Sequence, residues 1–357
     1  MTTSTRADFP KLDASPAPRL KAFLRDWDSV EMVASLLIVG LFGLSPLVIK
    51  VPYYLNMIIL TALFAYFGLA WNIIGGISGQ LLIGFASFVG VGGFVTMVLL
   101  IRFSVSPWIG LPISAASSCL LGAFVAFLTL RYGLKVDYLA LFSLALMMIL
   151  KIIAQELDIT GRASGMFLSF QKDSLINMTF VGKVPYLYIA TGMLLLGVVI
   201  QYVTCRSKTG RYLVAIREDE DAAAALGVDT ARYKTIALLL GSAMGGLGGG
   251  FYAIFSTYLD PALIFGLAFN VSLLIAPIIG GKGTLIGPIL GAILNKPLSE
   301  WIGGTVSAQR PGVTLVVYGV ILMVFILFLP NGIAGLLRVP HERLRVRLRS
   351  TERLRNN

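Results

Sequence analysis

No Asp, Glu, Lys or Arg occurs in the stretches 51–101, 103–130, 184–205, 235–259 or 312–337 of this 357-residue chain. Each is about 20 residues or longer, enough to cross roughly 30 Å of hydrocarbon as a helix rising 1.5 Å per residue. That feature alone puts the chain in a bilayer. Composition agrees, because only 13% of residues are charged, against roughly 25% in a soluble domain. A soluble enzyme, a disordered chain and a secreted disulfide scaffold are excluded.

The net charge of +11 raises the question of nucleic acid, and its location answers it. Residues 338–357 hold seven Arg and two Glu, and the arm 1–29 carries Arg6, Lys11, Arg19, Lys21 and Arg25. Positive residues flanking spans mark the cytoplasmic side and can touch anionic lipid heads. No nucleic-acid partner is expected. The arm lacks the apolar region of a cleaved signal peptide, so the run from Met32 to Ile49 reads as an uncleaved span.

Charge-free length and interfacial Pro, Trp, Tyr and Lys predict about ten spans (eight to ten), at 31–49, 54–74, 81–101, 108–130, 137–154, 186–204, 235–258, 267–280, 285–303 and 313–330. The expected fold is an all-α polytopic membrane bundle with Gly-interrupted helices. Its organisation divides into a cytoplasmic basic arm (1–29), a permease domain (30–335) and a basic cytoplasmic tail (336–357). Starting inside, ten crossings return the carboxyl terminus inside, where its arginines belong. The same walk places 205–234 in the cytoplasm and 155–184 outside. Segments 75–84 and 280–291 are read either as parts of full spans or as re-entrant. They resemble one another, Ile73–Gly84 against Ile278–Gly287 with gaps, as in a duplicated transporter with broken helices. Close packing of small residues would produce the same glycines.

Catalytic chemistry is hard to place. The single His, His341, lies in the basic tail, and neither a Gly-x-Ser-x-Gly elbow nor a His-Glu-x-x-His motif occurs. Two isolated cysteines, Cys119 and Cys205, do not make a metal site. Gly280-Gly281-Lys282-Gly283-Thr284 is no phosphate loop, because Ala276 stands where that loop needs Gly, and Gly283 where it needs Ser or Thr. No catalytic, cofactor or metal site is expected, and any ATP must be hydrolysed by another chain.

The informative segment is 205–234. Glu218, Asp219, Glu220 and Asp221 precede a run of alanines containing Ala222 and Ala223, and Gly227 follows. Acidic residues suit the positive end of a helix, Ala has the best helix propensity, and Gly fits the left-handed position past the last turn. The expectation is a short cytoplasmic helix, 218–227, able to act as a docking peg.

Here a family becomes recognisable. Asp221-Ala222-Ala223, three residues and Gly227 resemble the Glu-Ala-Ala loop of bacterial ABC importer permeases, with Asp in place of Glu. The stretch Gly210–Glu220, and likewise Gly68–Gln80 and Ile279–Ala292, resemble the M-type permease of the branched-chain amino-acid importers; Arg162 and Lys282 depart from its pattern. The resemblance implies a multi-pass subunit of a bacterial inner membrane, both termini cytoplasmic. It would be paired with a second, related permease, two cytoplasmic ATPase subunits and a periplasmic binding protein. It would move branched-chain or similar amino acids, or urea- and amide-type solutes, inward. Candidate path residues are the polar groups at membrane depth: Asn72, Ser78, Gln80, Ser87, Asn270 and Ser272, with Asn56 and Thr96. Lys282 and Lys296 are expected to snorkel to an interface. The rival reading is an ion-coupled secondary transporter of a small polar solute, against which Asp137, Glu156, Asp158, Asp260 and Glu300 all fall near expected span ends.

Overall fold

The computed structural model describes residues 18–133, 136–168 and 175–306, with 319, 323 and 332–335. The expected tenth span, the amino-terminal half of the arm and the basic tail fall largely or wholly outside the described residues.

Apolar runs become helices in the expected order. They are α1 (Pro18–Val48), α2 (Pro52–Trp71), α3 (Ala86–Phe103), α4 (Pro107–Arg131), α5 (Val136–Glu156), α6 (Val184–Arg206), α7 (Lys208–Glu218), α8 (Glu220–Ala225), α9 (Thr230–Ser256), α10 (Pro261–Ile264), α11 (Leu267–Gly280) and α12 (Gly287–Val306). Among the described residues seven helices are long and apolar enough to cross a membrane, and α11 is a shorter apolar helix. The chain is therefore an all-α, multi-pass membrane protein. α1 extends back to Pro18, so part of the segment read as an arm is helical, although its apolar stretch starts at Val30.

Proline sets several starts. Pro52, Pro107 and Pro185 sit in the first turn of α2, α4 and α6, where the missing N–H would be unpaired anyway. Outward faces of α1, α4 and α5 remain apolar, with Leu41, Leu120 and Leu141 exposed. Such faces suit lipid tails.

Two sub-bundles share the core. In one, α3, α4 and α9 meet closely through glycines and serines. A Cβ on Gly249 of α9 would overlap the Val89 carbonyl of α3, and one on Gly92 would overlap the Gly246 carbonyl. Small residues allow this backbone contact, and membrane helices lacking a hydrophobic drive toward each other depend on it. In the other, α2 is surrounded by α6, α11 and α12, and α1 lies against α6. Tyr66, Phe67, Leu63 and Ile59 of α2 are fully buried.

Helix and span boundaries differ from expectation at the glycines. α2 continues through a π-helical turn, Asn72–Ile77, and α3 starts at Ala86 rather than 81. Residues 78–85 form a break with no regular helix. A second break, 281–286, separates α11 from α12. Lys296 does not snorkel: its side chain is 13% exposed and its Nζ sits 3.9 Å above the Phe64 ring. The 155–184 segment carries short 3-10 turns and a two-residue strand, β1 (Met166–Phe167), antiparallel to β2 (Tyr258–Leu259) just past α9.

Candidate functional site: the helix breaks and the α7–α8 arm

Both breaks lie at the end of the bundle that bears α7 and α8. Asn72, in the π-turn of α2, reaches across to the second break. Its Oδ1 accepts from Gly283 N at 2.7 Å and its Nδ2 donates to Thr284 O at 2.8 Å. Gly76 makes room, since a Cβ there would collide with the Asn72 amide. Gln201 of α6 donates to the same Thr284 O at 2.9 Å, and Glu31 of α1 accepts from Leu285 N at 2.9 Å. Where a helix ends, its last carbonyls and the N–H groups of the following turn lack helical partners, and these side chains meet the need.

The first break is held in the mirror sense. Asn270 of α11 accepts from Ala86 N at 3.0 Å and donates to Ile83 O at 2.6 Å. Each break is therefore chelated by an Asn from the helix that precedes the other. Trp71 Nε1 donates to Leu82 O at 2.8 Å, Gly84 N to Ser143 Oγ at 3.1 Å, and Ser87 Oγ to Gly84 O at 2.7 Å. Gln80 donates to Ser78 Oγ at 2.7 Å and to Lys234 O at 3.0 Å. Of the six sequence candidates for the path, Asn72, Ser78, Gln80, Ser87 and Asn270 thus gather on the two breaks. Ser272 stands apart and donates to Phe269 O within its own helix. Thr96 likewise bonds within α3, to Gly92 O.

The 205–234 segment folds into two helices, not one. Ser207 caps α7, its side chain accepting from Gly210 N at 3.2 Å. Gly210, Leu213 and Ile216 are buried along one face. Burial of the last two contributes about 1.5–3 kcal/mol each. This helix was missed in the sequence, although the Ser cap and the three-residue apolar spacing announce it. Glu218 ends α7 instead of opening the peg. Asp219 is the cap of α8, extended at φ −157° and accepting from Ala222 N at 2.9 Å. The peg is therefore Glu220–Ala225, with Ala223 buried and Leu226 86% exposed. Gly227 has φ +85°. Bonds from Gly227 N to Ala224 O and from Val228 N to Ala223 O complete a Schellman ending.

Two links tie the arm to the first break. Arg217 Nη1 donates to Gly76 O at 2.9 Å, and its guanidinium also pairs with Glu218 at 2.7 Å. Its side chain runs over Gly79 and ends beside Gly283, so one residue touches both breaks. Lys234, whose carbonyl holds Gln80, forms an ion pair with Glu220 of α8. At the opposite end, a cavity of about 350 Å³ lies among Leu100 and Ile101 of α3, Ser104 just past it, and Phe167, Leu168, Asn177 and Thr179. Among the described residues no cluster of His, Cys, Asp and Glu could hold a metal ion.

Several apolar helices, with two cross-chelated connections beside a capped polar arm, define a multi-pass membrane protein. Residues 53–327 match the model of the branched-chain amino acid transport system permease component, and the chain belongs to that family. It is 27% identical over 259 residues to the high-affinity branched-chain amino acid transport system permease protein LivM of Escherichia coli, which covers 66% of this chain and 60% of the relative. For LivM of Salmonella typhimurium the identity is 28%, with the same coverage. The probable branched-chain amino acid transport permease protein LivH of Methanocaldococcus jannaschii is 25% identical, over 70% of this chain and 81% of its own. The match spans about three fifths of the LivM relatives' length. No solved structure gives a significant match.

Proposed function

We propose that this chain is the M-type permease subunit of an ATP-binding-cassette importer, carrying branched-chain or similar amino acids into the cytoplasm of a bacterium across its inner membrane. The observation that carries the reading is the arm: a short capped helix whose anchoring residue, Arg217, reaches both helix breaks. A partner ATPase pressing on α8 would pull Arg217 and Lys234, and through them residues 76–80. The breaks then act as the inner gate. Asn72, Ser78, Gln80, Ser87 and Asn270 hold that gate closed in one state and line the path in the other, with Ser272 on the same helix as Asn270. Differential contact in two states is what lets a bound partner shift the equilibrium.

The partners are a second related permease, two cytoplasmic ATPase subunits and a periplasmic binding protein, with both termini of this chain on the ATPase side. Family membership and the names of the LivM and LivH relatives support this assembly. The test is reconstitution. Vesicles holding the chain with its co-purified partners are expected to import leucine only with internal ATP and external binding protein, and Arg217→Ala is expected to hydrolyse ATP with little transport. Leucine uptake driven by a proton or sodium gradient, without ATP, would overturn the reading in favour of a secondary transporter.

A further inference from the structure

The inner-gate mechanism leaves one charged cluster unused, and it lies within α12. At 1.5 Å per residue, Lys296 stands about 14 Å from the Gly287 end of this 20-residue helix, close to its middle, and Glu300 follows one turn later. Lys296 Nζ lies 3.8 Å from Glu300 Oε1, beyond hydrogen-bond reach, and 3.9 Å from the centre of the Phe64 ring. Among the described residues no hydrogen bond reaches this ammonium. Phe64 meets Phe269 edge-on at 6.0 Å, and Phe269 lies 5.3 Å from Tyr252. Phe269 and Tyr252 are half-buried, and the Glu300 side chain is 39% exposed.

The Glu300 carboxylate, 39% exposed and six residues before the end of α12, which is not among the seven apolar spans, does not face lipid tails, which expel charge. It faces water or protein. We propose that this face of α12 lines the translocation path and holds the two charged ends of an α-amino acid, carboxylate on Lys296 and ammonium on Glu300. The substrate's apolar side chain then lies against Phe269 and Tyr252. The inference rests on the import reading above.

Charge bookkeeping favours such an exchange. The resting pair is neutral and so is a zwitterion, so loading replaces one loose pair with two closer ones and adds no net charge to the interior. Phe64 holds the ammonium in place while the site is empty. A solute lacking either end would leave one protein charge unmatched, which makes the site selective for α-amino acids over amides or keto acids. A contact that is satisfied in both the empty and the loaded state also releases its cargo, as a path requires.

The experiment uses the assembled transporter in vesicles, with Cys119→Ser and Cys205→Ser in this chain. In that background Glu300→Cys is treated with a cationic methanethiosulfonate, which modifies thiolates in water. The expected result is labelling in the assembled complex, slowed by saturating leucine with binding protein. Labelling only when this chain is separated from the second permease would assign the face to a subunit contact and overturn the proposal. Absence of labelling in both forms would place it in lipid, with the same consequence. Independently, Lys296→Met and Glu300→Leu are each expected to lower leucine uptake about tenfold or more, and the double variant is expected not to recover. Recovery in the double variant would mean a structural ion pair, dispensable when both charges go, and would also overturn the site. A wild-type complex that imports no leucine would sink the import reading itself and the site with it. A working wild-type complex with unlabelled Glu300→Cys would sink the site alone.

Discussion

Glycine does opposite jobs in the α3–α9 contact and in the α7–α8 arm. At Gly249 and Gly92 the backbone is ordinary helix and space is absent, because the facing carbonyl occupies the position a Cβ would take. At Gly227 space is abundant, with nothing within 4 Å of a Cβ, and only φ +85° demands the residue. One region is rigid because two backbones touch. The other is a projection held by caps and two polar links, and the proposed reading has a partner grip it. A chain that moves a solute needs both, since a lever works only against a part that does not yield.

Substitutions can break this contrast. Gly249→Val is expected to have the largest effect. Two helix backbones must separate, a rigid overpacking costing about 3 kcal/mol or more, and the detergent-solubilised protein should lose its monodisperse peak. Next in size is Asn72→Leu, which takes the partner from the part-buried Gly283 N–H and one donor from Thr284 O, at about 1–3 kcal/mol. A lower Tm is expected, with Thr284 O still satisfied by Gln201. Gly227→Val should leave global unfolding almost unmoved, because its strain of about 1–2 kcal/mol falls on a surface turn. Its signature is a fall in leucine moved per ATP; a normal ratio would remove the docking role from α8. The smallest effect belongs to Asp219→Ala, which loses a cap worth about 1 kcal/mol. Faster hydrogen exchange confined to 220–226 would show it, and spread into α9 would mean that the arm and the bundle unfold together.

Much of this architecture is legible in the sequence for a plain reason. A span must exclude charge over about 20 residues, and local exclusion is visible without knowing any contact. Helix interruptions were flagged by their glycines. Their exact edges are not legible, because 81–85 is apolar and its departure from helix is stabilised by Trp71 and by Ser143 and Asn270, the last two distant in the chain. The path candidates were selected as polar groups at depth, and that criterion found the residues that hold the breaks without revealing which break each one serves. α7 is faint in the sequence because its amphipathic face buries only three residues and it runs straight into an acidic stretch. Lys296 was misread for a related reason. A lysine in an apolar run ordinarily stretches to an interface, and only the fold brings Phe64 beneath it.

The two-residue β1–β2 ladder joins the far end of α9 to the 155–184 segment. α9 is a continuous rod of 27 residues, about 40 Å long, starting beside the Asp229 cap that follows α8 and ending where Tyr258–Leu259 pairs with the 155–184 segment. Whatever displaces one end of that rod reaches the other with little slack. If, as the import reading has it, the 155–184 segment lies outside and receives the binding protein, nucleotide state and receptor affinity share one coupling free energy. ATP would then alter the binding protein's grip by the same factor by which the docked protein alters the affinity for ATP.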